Sequence, residues 1–448
     1  MEEFNMEGLN QRREQRQEKQ QKRQRQQKTT FIRLGIAAAI LLICGILIFE
    51  LTRNRGESPD IPTDASGQSI GTVDPSDPSA TAPTVSTTAP VEETQDTANK
   101  SVIHITAAGD LNVTDGTVAS GGDAFDYTRA FQDVVPLLAS ADLTTINFEG
   151  NLVGPPYGSQ YASAPYQMMT ALQNAGVDIV QTANSYAIKN GFSGMVSTLQ
   201  SIRLVGLETL GSYTEVSEFR KTGGYTIRQI NGIKVAIVAF TKGMDGMALP
   251  AGSEDCVNLL YTDYSTAYQK VNTEGIARIL RSIQREKPDF VIALVHWGSE
   301  FNDTHSSSQE KIKDLLLAEG VNAIIGTHPH YVQEILYDPD AGTFVAYSLG
   351  DFFSDGTRSG TEYSIILDLE ITKDHATGKT AISGYTYTPI FTVSDEAQLR
   401  VVRLKEAMAA YEADHLGKVS KETYADMEYA LTRIQARITP KQETDAKK

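Results

Sequence analysis

The run Leu34–Phe49, LGIAAAILLICGILIF, holds sixteen residues without a charge in a chain of 448. Extended by Phe31, Ile32 and Leu51, it approaches the ~20 residues that cross a bilayer as a helix. Arg33 and Glu50 stand at its ends, where a charged side chain can reach the interface. Arg12, Arg13, Arg16, Lys19, Lys22, Arg23, Arg25 and Lys28 precede the run, and only Arg53 and Arg55 follow it closely. This asymmetry places the N-terminus in the cytoplasm and everything beyond Leu51 outside. A cleaved signal peptide is the competing reading. The long basic region before the run, and the lack of an A-x-A site after it, favour a retained anchor. The expectation is a single-pass protein of the cell membrane, with a basic cytoplasmic tail over 1–33 and a transmembrane helix over 34–51. The tail can also touch anionic lipid.

Residues 52–100 are rich in Ser, Thr, Pro, Asp and Ala and poor in large apolar side chains. Such a segment cannot bury enough surface to offset its chain entropy, and it reads as a disordered stalk. The tail up to Arg33 carries nine Lys/Arg against five Glu, so the net charge of −16 belongs to the rest of the chain. An acidic folded part argues against a nucleic-acid partner, because phosphate binding needs a basic face. Cys44 and Cys256 cannot form a disulfide framework, and a chain of this size does not need one.

From Ser101 onward apolar strands alternate with amphipathic helices. Strands are expected at Val102–Ala108, Leu143–Phe148, Asp178–Thr182, Phe290–His296 and Ala323–Gly326. Helices are expected at Phe125–Leu138, Tyr166–Asn174, Phe192–Ile202, Thr262–Glu286 and Gln309–Glu319. Tyr225–Ile230 and Ile233–Phe240 flank Asn231-Gly232, a strong hairpin signal. Antiparallel strands follow at Gln333–Tyr337, Phe344–Ser348, Glu362–Ile371 and Ile382–Thr392, and two polar helices from Glu396 to about Ile438. The pattern is that of an α/β domain over 101–395, with a largely parallel core and late antiparallel strands. C-terminal helices and a tail over 396–448 complete the chain.

Ligand-type residues fall where these strands end. VIHITAAGD ends at Asp110, TTINFEG delivers Asn147 and Glu149, DIVQTANS ends at Asn184 and Ser185, DFVIALVHWG delivers His296 beside Trp297, and NAIIGTHPH delivers His328 and His330. The carboxyl edge of an α/β sheet is where ligands bind. Carboxylate and imidazole together suit a divalent transition metal, Mn, Zn or Fe, as one ion or a pair. Taken singly, each residue has a plainer reading. Asp110 can cap a turn, Glu149 can pair with a nearby base, and His296 can be a hydrogen-bonded core histidine. His328-Pro-His330, two imidazoles flanking a rigid Pro, is the firmest metal signal.

These residues carry a resemblance. AAGDLNVTDG, INFEGNL, TANSYAIKNG, VHWGSEF, GTHPHYVQEI and YSLGDFFSD resemble, in order and spacing, the motifs of the CapA family. These are the poly-gamma-glutamate capsule biosynthesis proteins related to calcineurin-like metallophosphoesterases. The resemblance implies a two-sheet sandwich flanked by helices, a metal pocket, and association with synthesis or export of a surface polymer. By position, Asp110, Glu149, His296, His328 and His330 match the pocket motifs as metal ligands. Asn184 joins Asp110, Glu149 and His296 as a catalytic candidate, with Asn147, Ser185, Tyr186, Trp297 and Asp351 around them. One motif departs from the family: Ser185 and Tyr186 stand where it has Asn and His, and Lys189 where it has Asp. Asp351 replaces the commoner Asn.

Three functions compete: a metal-dependent hydrolase of a phosphoester or of an amide in a surface polymer, a binding module serving a membrane synthesis complex, and a surface domain whose degenerate pocket serves packing alone. Metal content separates the first two from the third, and turnover separates the first from the second.

Overall fold

The computed structural model describes residues 99–395, 398–416 and 419–438. The basic tail, the apolar run 34–51 and residues 52–98 lie outside them. Among the described residues no helix is long and apolar enough to cross a membrane.

Among the described residues fourteen strands run in chain order: β1 (Lys100–Asn112), β2 (Leu143–Glu149), β3 (Ile179–Gln181), β4 (Glu208–Leu210), β5 (Tyr225–Ile230), β6 (Ile233–Thr241), β7 (Phe290–His296), β8 (Ala323–Thr327), β9 (Ile335–Asp338), β10 (Thr343–Ala346), β11 (Asp351–Phe353), β12 (Tyr363–Asp374), β13 (Thr380–Asp395) and β14 (Gln398–Arg403). Between them lie the helices α1 (Asp115–Ala119), α2 (Thr128–Phe131), α3 (Val135–Ser140), α4 (Gln167–Ala175), α5 (Gly191–Leu204), α6 (Val216–Thr222), α7 (Thr273–Arg285) and α8 (Ser307–Ala318), with α9 (Leu404–Glu412) and α10 (Lys421–Ile438) at the end.

The strands form two sheets in a mixed α/β fold. The larger has the order β14-β13-β12-β1-β2-β3-β4, with β11 pairing β1, and the smaller has the order β5-β6-β7-β8-β10-β9. Strands β1 to β4 are parallel, as are β6, β7 and β8. Antiparallel strands lie at the edges, as the late run of strand signals implies.

Alternation along each strand divides its residues between two cores. In β6, Ile233, Val235, Ile237 and Ala239 join Ile103 and Ile105 of β1 in a core between the sheets. The intervening Ala236, Val238 and Phe240 pack under α7 and α8. On the larger sheet, Ala108, Leu111, Ile146 and Phe148 face α2 to α4 in a third cluster. Asn231 and Gly232 both have positive φ, 45° and 80°, the backbone that a two-residue turn requires to match strand twist.

Several expected elements differ. Thr262–Glu286 is helical only from Thr273, because the Asn272 side chain accepts from Gly275 N and caps the helix there. Before it, the Asp263 carboxylate accepts from the backbone of Gln269 and Lys270 and holds a loop instead. Phe125–Leu138 breaks into α2 and α3, with Pro136 in the first turn of α3; Pro is at home in a first turn and not in a helix interior. The region after Glu396 does not begin as helix: Gln398–Arg403 pairs antiparallel with β13. The helices that follow are polar on one side only, since Leu404, Ala407, Met427, Ala430, Ile434 and Ile438 join the inter-sheet core.

Candidate metal centre

The strand ends of both sheets converge. Asp110, Asn147 and Glu149 come from β1 and β2, Asp351 opens β11, His296 ends β7, and His328 and His330 follow β8. None of these residues is more than 7% exposed. Asp110 and Asp351 are register partners in the parallel β1–β11 pairing. Their strands approach so closely that a Cβ on Gly109 would sit 1.8 Å from Gly350 O.

A hydrogen-bond frame fixes the carboxylates. Asn147 Nδ2 donates to Asp110 Oδ1 at 2.6 Å and to Glu149 Oε1 at 3.3 Å. The backbone N–H of His328 donates to Asp110 Oδ2 at 3.0 Å. His328 and His330 both have positive φ, 93° and 61°, a backbone that non-glycine residues adopt only where the surroundings impose it. His330 Nδ1 lies 2.8 Å from Asp351 Oδ1 and 3.6 Å from Asp110 Oδ2. The Phe301 ring stacks on His330 with centroids 5.1 Å apart.

His296 is oriented from behind. Thr241 Oγ1 donates to Gly243 O at 3.0 Å and lies 3.2 Å from His296 Nδ1. A hydroxyl whose proton is already placed can only accept, so Nδ1 carries the imidazole proton and Nε2 offers a lone pair. That lone pair meets Glu149 Oε1 at 2.6 Å. A proton or a cation has to stand between them.

The electrostatics agree. Burial, then the neighbouring Glu149 carboxylate, push Asp110 up to about 7. Burial also raises Glu149 to about 7, against the opposing charge of His330. Asp351 is raised by burial as well, with His330 pulling the other way. Burial drives His296 down to about 3 and His328 well below the ordinary imidazole value. Burial works against charge on His330 too, but Asp351, Glu149 and Asp110 outweigh it and hold that ring well above the ordinary value. The groups titrate as one unit.

The other sequence candidates take different places. Asn184 stands behind the cluster: its Nδ2 donates to Asn147 Oδ1 at 3.0 Å and to Phe148 O at 2.6 Å, and its Oδ1 accepts from Tyr186 N. Ser185 is buried and Tyr186 half-buried. Burial, and then the site carboxylates, raise the Tyr186 phenol above its ordinary value, so it stays protonated and holds that proton tightly. Trp297 is not in the pocket. Next to His296 on an extended backbone, it faces the opposite side, where Nε1 donates to Tyr347 O at 2.8 Å. Lys189 turns outward and pairs with Asp245 at 3.0 Å.

The sequence reading missed Lys242, the residue after β6. Its Nζ donates to Gly298 O at 2.9 Å and lies 3.1 Å from His328 Nε2. A sixth strand end, AIVAFTK, was the signal for it. Also missed were Glu300, which can join His328 and His330 around an ion, and Arg358, whose guanidinium lies 3.7 Å over the Phe301 ring.

The residues present fit a divalent ion. Among the described residues three sets have ligand atoms within 4.8 Å of one another: Glu149, His296 and His328; Glu300, His328 and His330; and Asp110, His330 and Asp351. Glu149 Oε2 and His328 Nδ1 are buried without a hydrogen-bond partner, an expensive state in a low-dielectric interior. A cation satisfies the carboxylate oxygen. The imidazole nitrogen needs a cation, or an acceptor if it carries the proton.

A family model described as bacterial capsule synthesis protein PGA_cap matches residues 104–356. PGA biosynthesis protein CapA of Bacillus subtilis (strain 168) is 23% identical over 323 residues, 65% of this chain and 78% of that protein. Capsule biosynthesis protein CapA of Bacillus anthracis is 25% identical over 262 residues, 56% of this chain and 59% of that protein. Among solved structures, the calcineurin-like phosphoesterase YfkN from Bacillus subtilis aligns with a TM-score of 0.39 at 16% identity, over 74% of this chain and 99% of that one. A phosphatase from Mycoplasma pneumoniae aligns with a TM-score of 0.38 at 15% identity, over 65% and 94%.

Proposed function

The chain belongs to the bacterial capsule synthesis protein PGA_cap family, and on that premise we propose that it is a membrane-tethered, extracytoplasmic component of surface-polymer synthesis or export. Its centre takes a divalent transition metal, Mn, Zn or Fe, and hydrolyses a phosphoester or an amide. The polymer is poly-gamma-glutamate or another surface polymer, one relative being named for PGA biosynthesis and another for capsule biosynthesis, and its partner is a membrane synthesis complex. The observation that carries this reading is Glu149 Oε2, buried without a hydrogen bond among carboxylates and imidazoles, with His330 Nε2 3.9 Å away.

A bound ion supplies Lewis acidity and a water that ionises near neutrality. The chain supplies the rest. Asn147 sets the positions of Asp110 and Glu149, and Thr241 orients His296. Arg358 presents a positive charge beside the Phe301 that stacks on His330. In a protein of net charge −16, an anionic polymer is repelled unless local positive charge draws it in.

The test is metal analysis of the purified full-length chain, wild type and Asp110→Asn with His330→Ala. Turnover is measured on a generic phosphoester and on poly-gamma-glutamate. Wild type should retain metal and the double variant should lose it. A wild type that takes up no metal at micromolar concentrations sinks the reading. Metal without turnover favours the second reading, a binding and assembly module. One observation supports that alternative: Tyr186 holds its proton too tightly to serve a leaving group.

A further inference from the structure

We propose that Arg358, laid over the Phe301 ring beside the centre, is an anion subsite: its guanidinium receives a carboxylate or phosphate of the surface polymer, next to the group held at the centre. The inference rests on the surface-polymer reading above and names the chemical group that the chain recognises.

The seat has three layers. The guanidinium carbon of Arg358 lies 3.7 Å from the centroid of Phe301. The Phe301 ring stacks in turn on His330, with 5.1 Å between centroids and 25° between planes. Three consecutive residues, Pro329, His330 and Tyr331, hold this stack together. Phe301 N–H donates to Pro329 O at 2.8 Å, and His330 supplies the lowest ring. Tyr331 Oη donates at 2.8 Å to the carbonyl of Ser359, the residue after Arg358. Arg358 O accepts from Thr361 N at 3.1 Å and from Thr361 Oγ1 at 2.7 Å. Gly360 completes the turn with a φ of 97°, where an added Cβ would come within 2.8 Å of the Tyr331 ring. The backbone of an exposed arginine is thus fixed relative to a buried candidate ligand.

The charge on this seat is unpaired. A guanidinium has five N–H donors and does not lose its proton in proteins. Among the described residues no acidic side chain or other acceptor engages the guanidinium of Arg358. The other cations near the centre are engaged: Lys189 pairs with Asp245 at 3.0 Å, and Lys242 donates to Gly298 O at 2.9 Å. Stacking on Phe301 covers one face of the guanidinium and leaves its edge open. That edge is the part that matches two oxygens of a carboxylate or phosphate. Stacking also restricts the side chain beforehand, which lowers the entropy cost of binding. A chain of repeating anionic groups brings one group to Arg358 while its neighbour is at the centre. A small ester with a single anionic group leaves Arg358 empty.

The test is calorimetric titration of the full-length chain in EDTA, where no metal-dependent turnover intervenes. The probes are a γ-linked oligoglutamate, the same oligomer with its α-carboxylates converted to amides, and a glycerol-phosphate oligomer. Wild type should bind an anionic oligomer and not the amide, and the oligomer bound identifies the group as carboxylate or phosphate. Arg358→Gln should weaken that binding about fivefold, the loss of one exposed charge-assisted fork. Arg220→Gln, which removes an exposed arginine of α6, should leave it unchanged. Arg358→Gln should keep the wild-type melting temperature and, in a parallel assay without EDTA, the wild-type Mn²⁺ uptake. No weakening by Arg358→Gln, or equal weakening by Arg220→Gln, overturns the subsite and leaves the polymer reading standing. So does amide binding as tight as that of the glutamate oligomer. Loss of Mn²⁺ uptake in Arg358→Gln overturns it too, because Arg358 would then act as a prop for Phe301 and His330. A wild type that binds neither anionic oligomer overturns both.

Discussion

Glu149 Oε1 and His296 Nε2 lie 2.6 Å apart, and that contact joins β2 of the larger sheet to β7 of the smaller. Each residue ends its own strand and neither is near the other in sequence. The pair is completely shielded from solvent, so its proton is part of how the sheets meet.

Removing one member should therefore be felt in stability. His296→Ala leaves Glu149 without its partner and opens a void, and should destabilise the metal-free protein by about 3 kcal/mol. Glu149→Gln keeps a donor opposite Nε2 and should cost no more than about 1 kcal/mol. Urea denaturation of the two variants checks the contrast; equal losses would mean that Glu149 and His296 are not coupled as described.

The pH dependence has a definite sign. Asp110 and Glu149 are raised to about 7 in the fold, and His330 is raised well above its ordinary value. Stabilisation from such groups is fully present below their unfolded values and lost as pH rises through the folded ones. His296, depressed to about 3, and His328, depressed as well, act in the opposite direction up to the unfolded imidazole value of about 6.5. Above that value the raised groups act alone. Metal-free protein should lose stability between about pH 6.5 and about pH 8, and metal affinity should rise over the same interval, because the ion displaces protons from its ligands. Thermal melts with and without ion measure both; a metal-free melting temperature that climbs through this interval contradicts the assignment.

Gly109→Ala should be among the most damaging single-methyl changes in the chain. The added Cβ would lie 1.8 Å from Gly350 O, a backbone atom that cannot step aside without parting β1 from β11. We expect a loss of about 3 kcal/mol or more, since overpacking at an immovable neighbour has no relaxed alternative. Asp110 and Asp351 should separate with the strands, so metal uptake should fall too. A variant with wild-type melting temperature and metal content would rule out the close approach.

The proposed topology has its own check. Protease added to intact cells should remove the domain and leave the basic tail protected, as the charge asymmetry about residues 34–51 requires. A domain released only on lysis would reverse the orientation.

Much of the architecture was legible because its signals are local. Asn231-Gly232 specifies its turn through two residues, and Phe290–His296 reads as a strand from its own apolar run. The failures were local signals overruled. Thr262–Glu286 has helical composition, yet Asp263 and Asn272 divert its first part into a capped loop. In α9 and α10 the polar faces hid an apolar stripe that closes the inter-sheet core.

For the site, the sequence by itself determined which residues end strands, because an apolar run and its first polar successor are set by neighbours in the chain. It therefore yielded Asp110, Glu149, His296, His328 and His330 as candidates. Which of them meet, and on which face, only the tertiary structure decided. Strand alternation separates His296 from Trp297 without saying which one looks inward; the sheet packing turns His296 to Glu149 and Trp297 to Tyr347. The pairing of Asp110 with Asp351 depends on β11 crossing back to β1. The contact of Lys242 with His328 depends on two neighbouring crossover connections, β6 to β7 and β7 to β8. Such meetings are set by strand order over long chain separations, and a one-dimensional pattern of apolar and polar residues carries no term for that order.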